Sequence, residues 1–115
     1  MTLNEFEQEV FATALVSPVC DIPSVVRLTA TAIKLRVQTT VGGYVDAFYN
    51  EQTGTTAYAL IDQGQRIFGA DNTGGWHQHP FRDPTDHDPL AAAMTFAEFV
   101  AQIEEQYGFN DIMDT

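Results

Sequence analysis

At 115 residues the chain suits one domain, residues 1–115, with a single hydrophobic core. Its one cysteine, Cys20, excludes an internal disulfide and a multi-cysteine zinc site, and fits a reducing cytoplasm as an inert buried thiol. A net charge of −11 argues against a general nucleic-acid binder, whose affinity rests on phosphate contacts, and no stretch is long and apolar enough to cross a membrane.

Thr2-Leu-Asn-Glu5 has the form of a capping box, and Leu3, Phe6, Val10 and Ala14 recur behind it at helical spacing. The spacing predicts a helix over about residues 3–15, too acidic for a signal or transit peptide. Ser17-Pro18 ends it and Pro23 delays the next element, so residues 16–24 read as a connector. Ser24–Val41 reads as one strand region that alternates from Thr31. Ile33, Leu35 and Val37 face one side, and Lys34, Arg36 and Gln38 the other. Gly42-Gly43 is a hairpin signal, and Tyr44–Asn50 is the return strand. A turn at Asn50–Gly54, a strand at Thr55–Asp62, a turn at Gln63-Gly64 and a strand at Gln65–Ala70 follow. Thr95-Phe-Ala-Glu98 is a second capping box, opening a helix with Phe96, Phe99, Val100, Ile103 and Tyr107 on one face. Gly108 suits its C-terminal cap, and residues 109–115 are expected to fray. The expected fold is α+β: a four-stranded antiparallel meander sheet packed by an N-terminal and a C-terminal helix.

Between sheet and second helix lies Gly69–Asp88, GADNTGGWHQHPFRDPTDHD, which reads largely as loop. It holds His77, His79 and His87, the only histidines, together with Trp76 and Arg82. Three histidines within eleven residues point to a site rather than to surface histidines beside a turn. If Trp76–His79 is extended, both imidazoles of the H-x-H pair project to one side. That arrangement suits general acid–base chemistry, or metal binding with His87, Asp71 or Asp83 as further ligands. H-x-H is not a specific metal motif, and loop histidines without cysteines rarely close a four-ligand shell, so no metal or cofactor is expected. Asp71 either orients a histidine ring or, with Asn72, forms a turn. Arg66 and Arg82 either hold a phosphate and stabilise developing charge or pair with nearby aspartates. Trp76 either stacks on a base or anchors the loop. Tyr58 either faces the site or packs in the core.

The charge is uneven: residues 1–21 carry −4, residues 22–82 carry +1, and residues 83–115 carry −8. RNA contact is therefore expected only in the central segment, through Lys34, Arg36, Arg66 and Arg82. The acidic ends are solvated faces or dock on a basic partner.

The run Tyr58-Ala-Leu-Ile-Asp62, Arg66-Ile-Phe-Gly-Ala-Asp71-Asn72, Trp76-His77-Gln-His79 and the helix Thr95–Glu105 resembles the TumE-type toxins of prokaryotic toxin–antitoxin pairs. The resemblance spans Phe48 to Glu105. It implies a cytoplasmic toxin directed at RNA and held by an antitoxin, with Asp71, Asn72, His77, His79 and Arg66 at its site. In the metal-free mechanism, one of His77 and His79 removes the ribose 2′-hydroxyl proton and the other protonates the leaving 5′-oxygen. The alternative is a non-enzymatic acidic interaction module with a structural or zinc-binding histidine loop.

Overall fold

Alternation along the central strands builds the sheet. In the computed structural model, which describes residues 1–109, Ile33, Leu35 and Val37 of β2 (Ala32–Gln38) are buried and the residues between them are not. The alternation continues in β4 (Thr56–Asp62), whereas β3 (Tyr44–Asn50) and β5 (Gln65–Asp71) each bury three residues in succession, Val45–Ala47 and Phe68–Ala70. Residues paired directly across antiparallel strands share a face. One face therefore carries Leu35, Ala47, Tyr58 and Ala70 in a row, with Val37, Val45, Leu60 and Phe68 beside them.

Both helices cover that face. α1 (Leu3–Val16) and α2 (Phe96–Gln106) each begin at the expected capping box, on Thr2 with Glu5 and on Thr95 with Glu98. From α1, Phe6 stacks on Tyr49 at 5.2 Å. From α2, Phe99 lies 5.3 Å from Tyr58 and 4.8 Å from Phe68. Phe6, Phe99, Val100 and Ile103 are withdrawn from water, each worth a few kcal/mol of transfer free energy. The expected apolar stripe of α2 is thus the core, except that Tyr107 at its end is 40% exposed.

The sheet is larger than the expected four strands: among the described residues it has seven, in sequence order and all antiparallel. Ser24–Val41 is not one strand. A tight turn divides it into β1 (Ser24–Leu28) and β2. The Thr29 N–H donates to the Ala32 carbonyl at 2.9 Å, and Thr29 Oγ1 accepts from the Ala32 N–H at 3.0 Å. A threonine hydroxyl here closes a turn that carries neither glycine nor proline. The histidine loop contributes the other two strands, β6 (His77–His79) beside β5 and β7 (Asp88–Pro89) beside β6. Phe109, expected to fray, packs against the core. Residues 110–115 lie outside the described residues. No helix among the described residues is long and apolar enough to cross a membrane.

Candidate functional site

The helix-free face of the sheet carries the site. Strand pairing places Asp71 opposite His77 and Gly69 opposite His79. All four residues therefore share the face away from the helices. The cluster follows from this pairing: β5 delivers the carboxylate and β6 delivers two imidazoles, one residue apart, onto the same side. Residues 80–88 fold back over them and bring His87 into the group. The ring centroids of His77, His79 and His87 are separated by 4.6 to 5.1 Å. Each ring offers one nitrogen such that all three lie within 4.8 Å of one another.

Asp71 sits between the first two rings. Its Oδ2 is 3.4 Å from His77 Nε2 and 3.4 Å from His79 Nε2. Its Oδ1 accepts from the Thr73 N–H at 3.0 Å, which holds the carboxylate in orientation. His77 Nδ1 faces the Gly75 carbonyl at 2.9 Å. A carbonyl only accepts, so Nδ1 carries a proton, and Nε2 is the nitrogen that faces Asp71. His79 Nδ1 faces the Asp86 carbonyl at 3.1 Å and Arg66 Nη2 at 3.3 Å. One nitrogen cannot donate to the first and accept from the second at once. Arg66 Nη2 carries two N–H groups and also reaches the Pro84 carbonyl at 3.4 Å, and His79 Nε2 lies 3.4 Å from Asp71 Oδ2, so each ring nitrogen has an acceptor within reach. Burial, and then the Arg66 charge, hold the His79 imidazolium below its usual range, so this ring is neutral near pH 7.

The pocket is shallow and is lined by Arg66, Asp71, Thr73, His77, His79 and His87. The His79 side chain is 4% exposed and that of His77 15%, whereas His87 is exposed. Access is therefore from the His87 side. Gly69 makes room for this arrangement. A Cβ there would lie 3.0 Å from Arg66 Cδ and 3.5 Å from His79 Cδ2.

Other residues singled out in the sequence lie elsewhere. Tyr58 is buried on the helix face and donates to the Met94 carbonyl at 3.1 Å, and burial pushes its phenol well above the usual range. Trp76 packs against Tyr58 at 6.2 Å and anchors the loop. Asn72 accepts from the Thr56 N–H and donates to the Gly54 carbonyl, both at 2.9 Å, tying β5 to the turn before β4. Arg82 pairs with Asp88 at 2.7 Å and Asp86 at 3.0 Å, out in solvent. Lys34 and Arg36 share the site's face but stand on β2 beside Asp46, which Arg36 holds through two bonds of 2.8 and 3.1 Å. Asp83 is taken up by the Thr85 N–H and hydroxyl. His87 was legible as the third histidine, but the supporting carbonyls of Gly75 and Asp86 carry no side-chain signal.

Comparison with protein-family models, with curated proteins and with solved structures finds no match for this chain.

Proposed function

We propose that the chain is a toxin-like component of a prokaryotic toxin–antitoxin pair, acting on RNA in the cytoplasm, with the histidine–aspartate cluster as its catalytic centre. The observation that carries this reading is the convergence of Asp71, His77, His79, His87 and Arg66 on one open pocket. A phosphodiester entering there meets the Arg66 guanidinium, which suits developing negative charge. Acid–base chemistry also needs ring nitrogens that reach the substrate. His77 and His87 lie nearer the opening than His79, whose two nitrogens face Asp86 and Asp71. Inducible bacterial expression tests the reading. Wild-type chain should arrest growth and fragment cellular RNA, and His77→Ala/His79→Ala should do neither. Normal growth with intact RNA under wild-type expression, with no antitoxin present, ends the enzymatic reading.

One observation favours the acidic interaction module as the second reading. Lys34, Arg36 and Arg82 are paired with aspartates, which leaves few cations for a polyanion. Under that reading the chain binds a basic protein and leaves RNA untouched.

A further inference from the structure

We infer that His77, His79, Asp71 and His87 form a mononuclear site for a divalent transition-metal ion of the zinc type. The inference rests on the reading of this cluster as the functional centre, and it supplies that centre with a cofactor. Three features of the geometry support it.

The first is the direction of the lone pairs. His77 Nδ1 donates to the Gly75 carbonyl, which leaves Nε2 as the nitrogen that faces a carboxylate oxygen and is free to ligate in the neutral ring. His79 Nε2 faces that same oxygen at 3.4 Å, and in the tautomer whose Nδ1 donates to Asp86 its lone pair points there. Two ring nitrogens thus converge on one carboxylate oxygen, an arrangement that a cation held between them would satisfy.

The second is distance. Asp71 Oδ2 is 3.4 Å from both Nε2 atoms. A charge-assisted N–H···O bond is shorter, about 2.7–2.9 Å. Ligands bound at about 2.0–2.1 Å around a tetrahedral ion stand roughly 3.3–3.4 Å apart. The observed spacing is that of two ligands sharing a metal.

The third is support. Each of these three ligands is held through its other heteroatom by the backbone: His77 by Gly75, His79 by Asp86, and Asp71 by the Thr73 N–H. Such outer contacts fix tautomer and aim in metal sites, and here three independent loop positions supply them. His87 stacks on His77 at 5.1 Å and is exposed, so it can close the fourth position or leave it to water or a phosphate oxygen. Imidazole with a single carboxylate selects zinc and its neighbours over magnesium or calcium, which prefer oxygen shells. With the ion bound, the Nε2 lone pairs of His77 and His79 serve as ligands rather than as proton acceptors.

Calorimetric titration of the full chain with zinc at neutral pH, after treatment with a chelator, tests the site. The expected result is one ion per chain with a dissociation constant below about 10 µM. Asp71→Asn and His77→Gln, which preserve size, should each weaken binding at least roughly 10-fold. Circular dichroism and Trp76 fluorescence report whether each variant keeps the fold. Nitrogen-15 spectra of the metal-free wild type give a readout that needs no variant: His77 and His79 should both carry the proton on Nδ1. Binding weaker than about 10 µM, affinity unchanged in both folded variants, or a proton on Nε2 of His79 overturns the inference. No RNA enters these measurements. Zinc uptake by a chain that leaves RNA intact ends the RNA reading alone. RNA cleavage by a chain that takes up no zinc ends the metal site alone.

Discussion

Arg66 and Arg82 are equivalent in the sequence and have different surroundings in the fold. Arg66 reaches over Gly69 to the His79 ring, whereas Arg82 is held in solvent between Asp86 and Asp88. Exposed ion pairs contribute little to stability, about 0–1 kcal/mol. Arg82→Ala should therefore leave both the melting temperature and any RNA cleavage close to wild type. Arg66→Ala should keep the fold but lower cleavage by at least about 100-fold, the scale of losing one group that stabilises transition-state charge. Parallel melting curves and single-turnover cleavage assays separate the two. Equal losses in both variants would return Arg82 to the substrate path. The neighbouring Asn72 makes the same point about position. It follows Asp71 directly, yet both ends of its amide are bound by Thr56 and Gly54, and it serves the loop rather than the chemistry.

At the scale of elements, α2 depends on its first turn. Thr95 Oγ1 accepts from the Glu98 N–H at 3.1 Å, and the Glu98 carboxylate accepts from the Thr95 N–H at 2.9 Å. The Thr95 backbone N–H, and then its hydroxyl, hold the Glu98 carboxyl below its ordinary range. A carboxyl lowered by folding stabilises the native state above its unfolded pKa. That contribution fades as the pH falls from about 4.3 through the lowered value. Glu98→Gln should therefore flatten the loss of stability on acidification in that window, as read by urea melts across about pH 2.5–6. Thr95→Ala should cost about 1 kcal/mol at neutral pH. β1 stands at the other extreme. All five of its residues are exposed, and it pairs only with β2, through an irregular register between Val25 and Arg27. Its amides should exchange with deuterium well before those of β3 and β4, in keeping with opening that starts where little apolar surface is buried. Equal protection in β1 and β4 would contradict that order.

For the whole molecule, charge sets the terms of any RNA contact. The net charge is −11, and among the described residues three of the five basic side chains pair with aspartates. Each phosphate neutralised on a single strand contributes about −0.7 to the slope of log affinity against log salt. With Arg27 and Arg66 the remaining cations, the slope for single-stranded RNA should be about −1.4 or shallower. Fluorescence anisotropy across a salt series measures it. A much steeper slope would require Lys34, Arg36 or Arg82 to leave their aspartates on binding. The acidic ends also have structural work that composition does not reveal. Glu104 accepts from the Ser17 hydroxyl at 2.6 Å, linking the end of α2 to the end of α1.

Local pattern alone determined a good part of this protein. Both capping boxes, the inward residues of β2 and the apolar stripe of α2 were legible, because burial imposes a period of two on strands and of nearly four on helices. The crowding of three histidines with Asp71 along one stretch was legible, and the fold gathers these side chains into one cluster. Tertiary structure decided the rest. The hairpin at Thr29–Ala32 hides behind residues that favour strands, and β6 and β7 are too short and too rich in polar residues to show a period. The pairing of β5 with β6 set Asp71 against His77, which no spacing along the chain reports. Fold-back of residues 80–88 placed the Asp86 carbonyl on His79 Nδ1. The aim of the His77, His79 and Asp71 side chains depends on backbone groups of Gly75, Asp86 and Thr73, and only the folded chain brings them together.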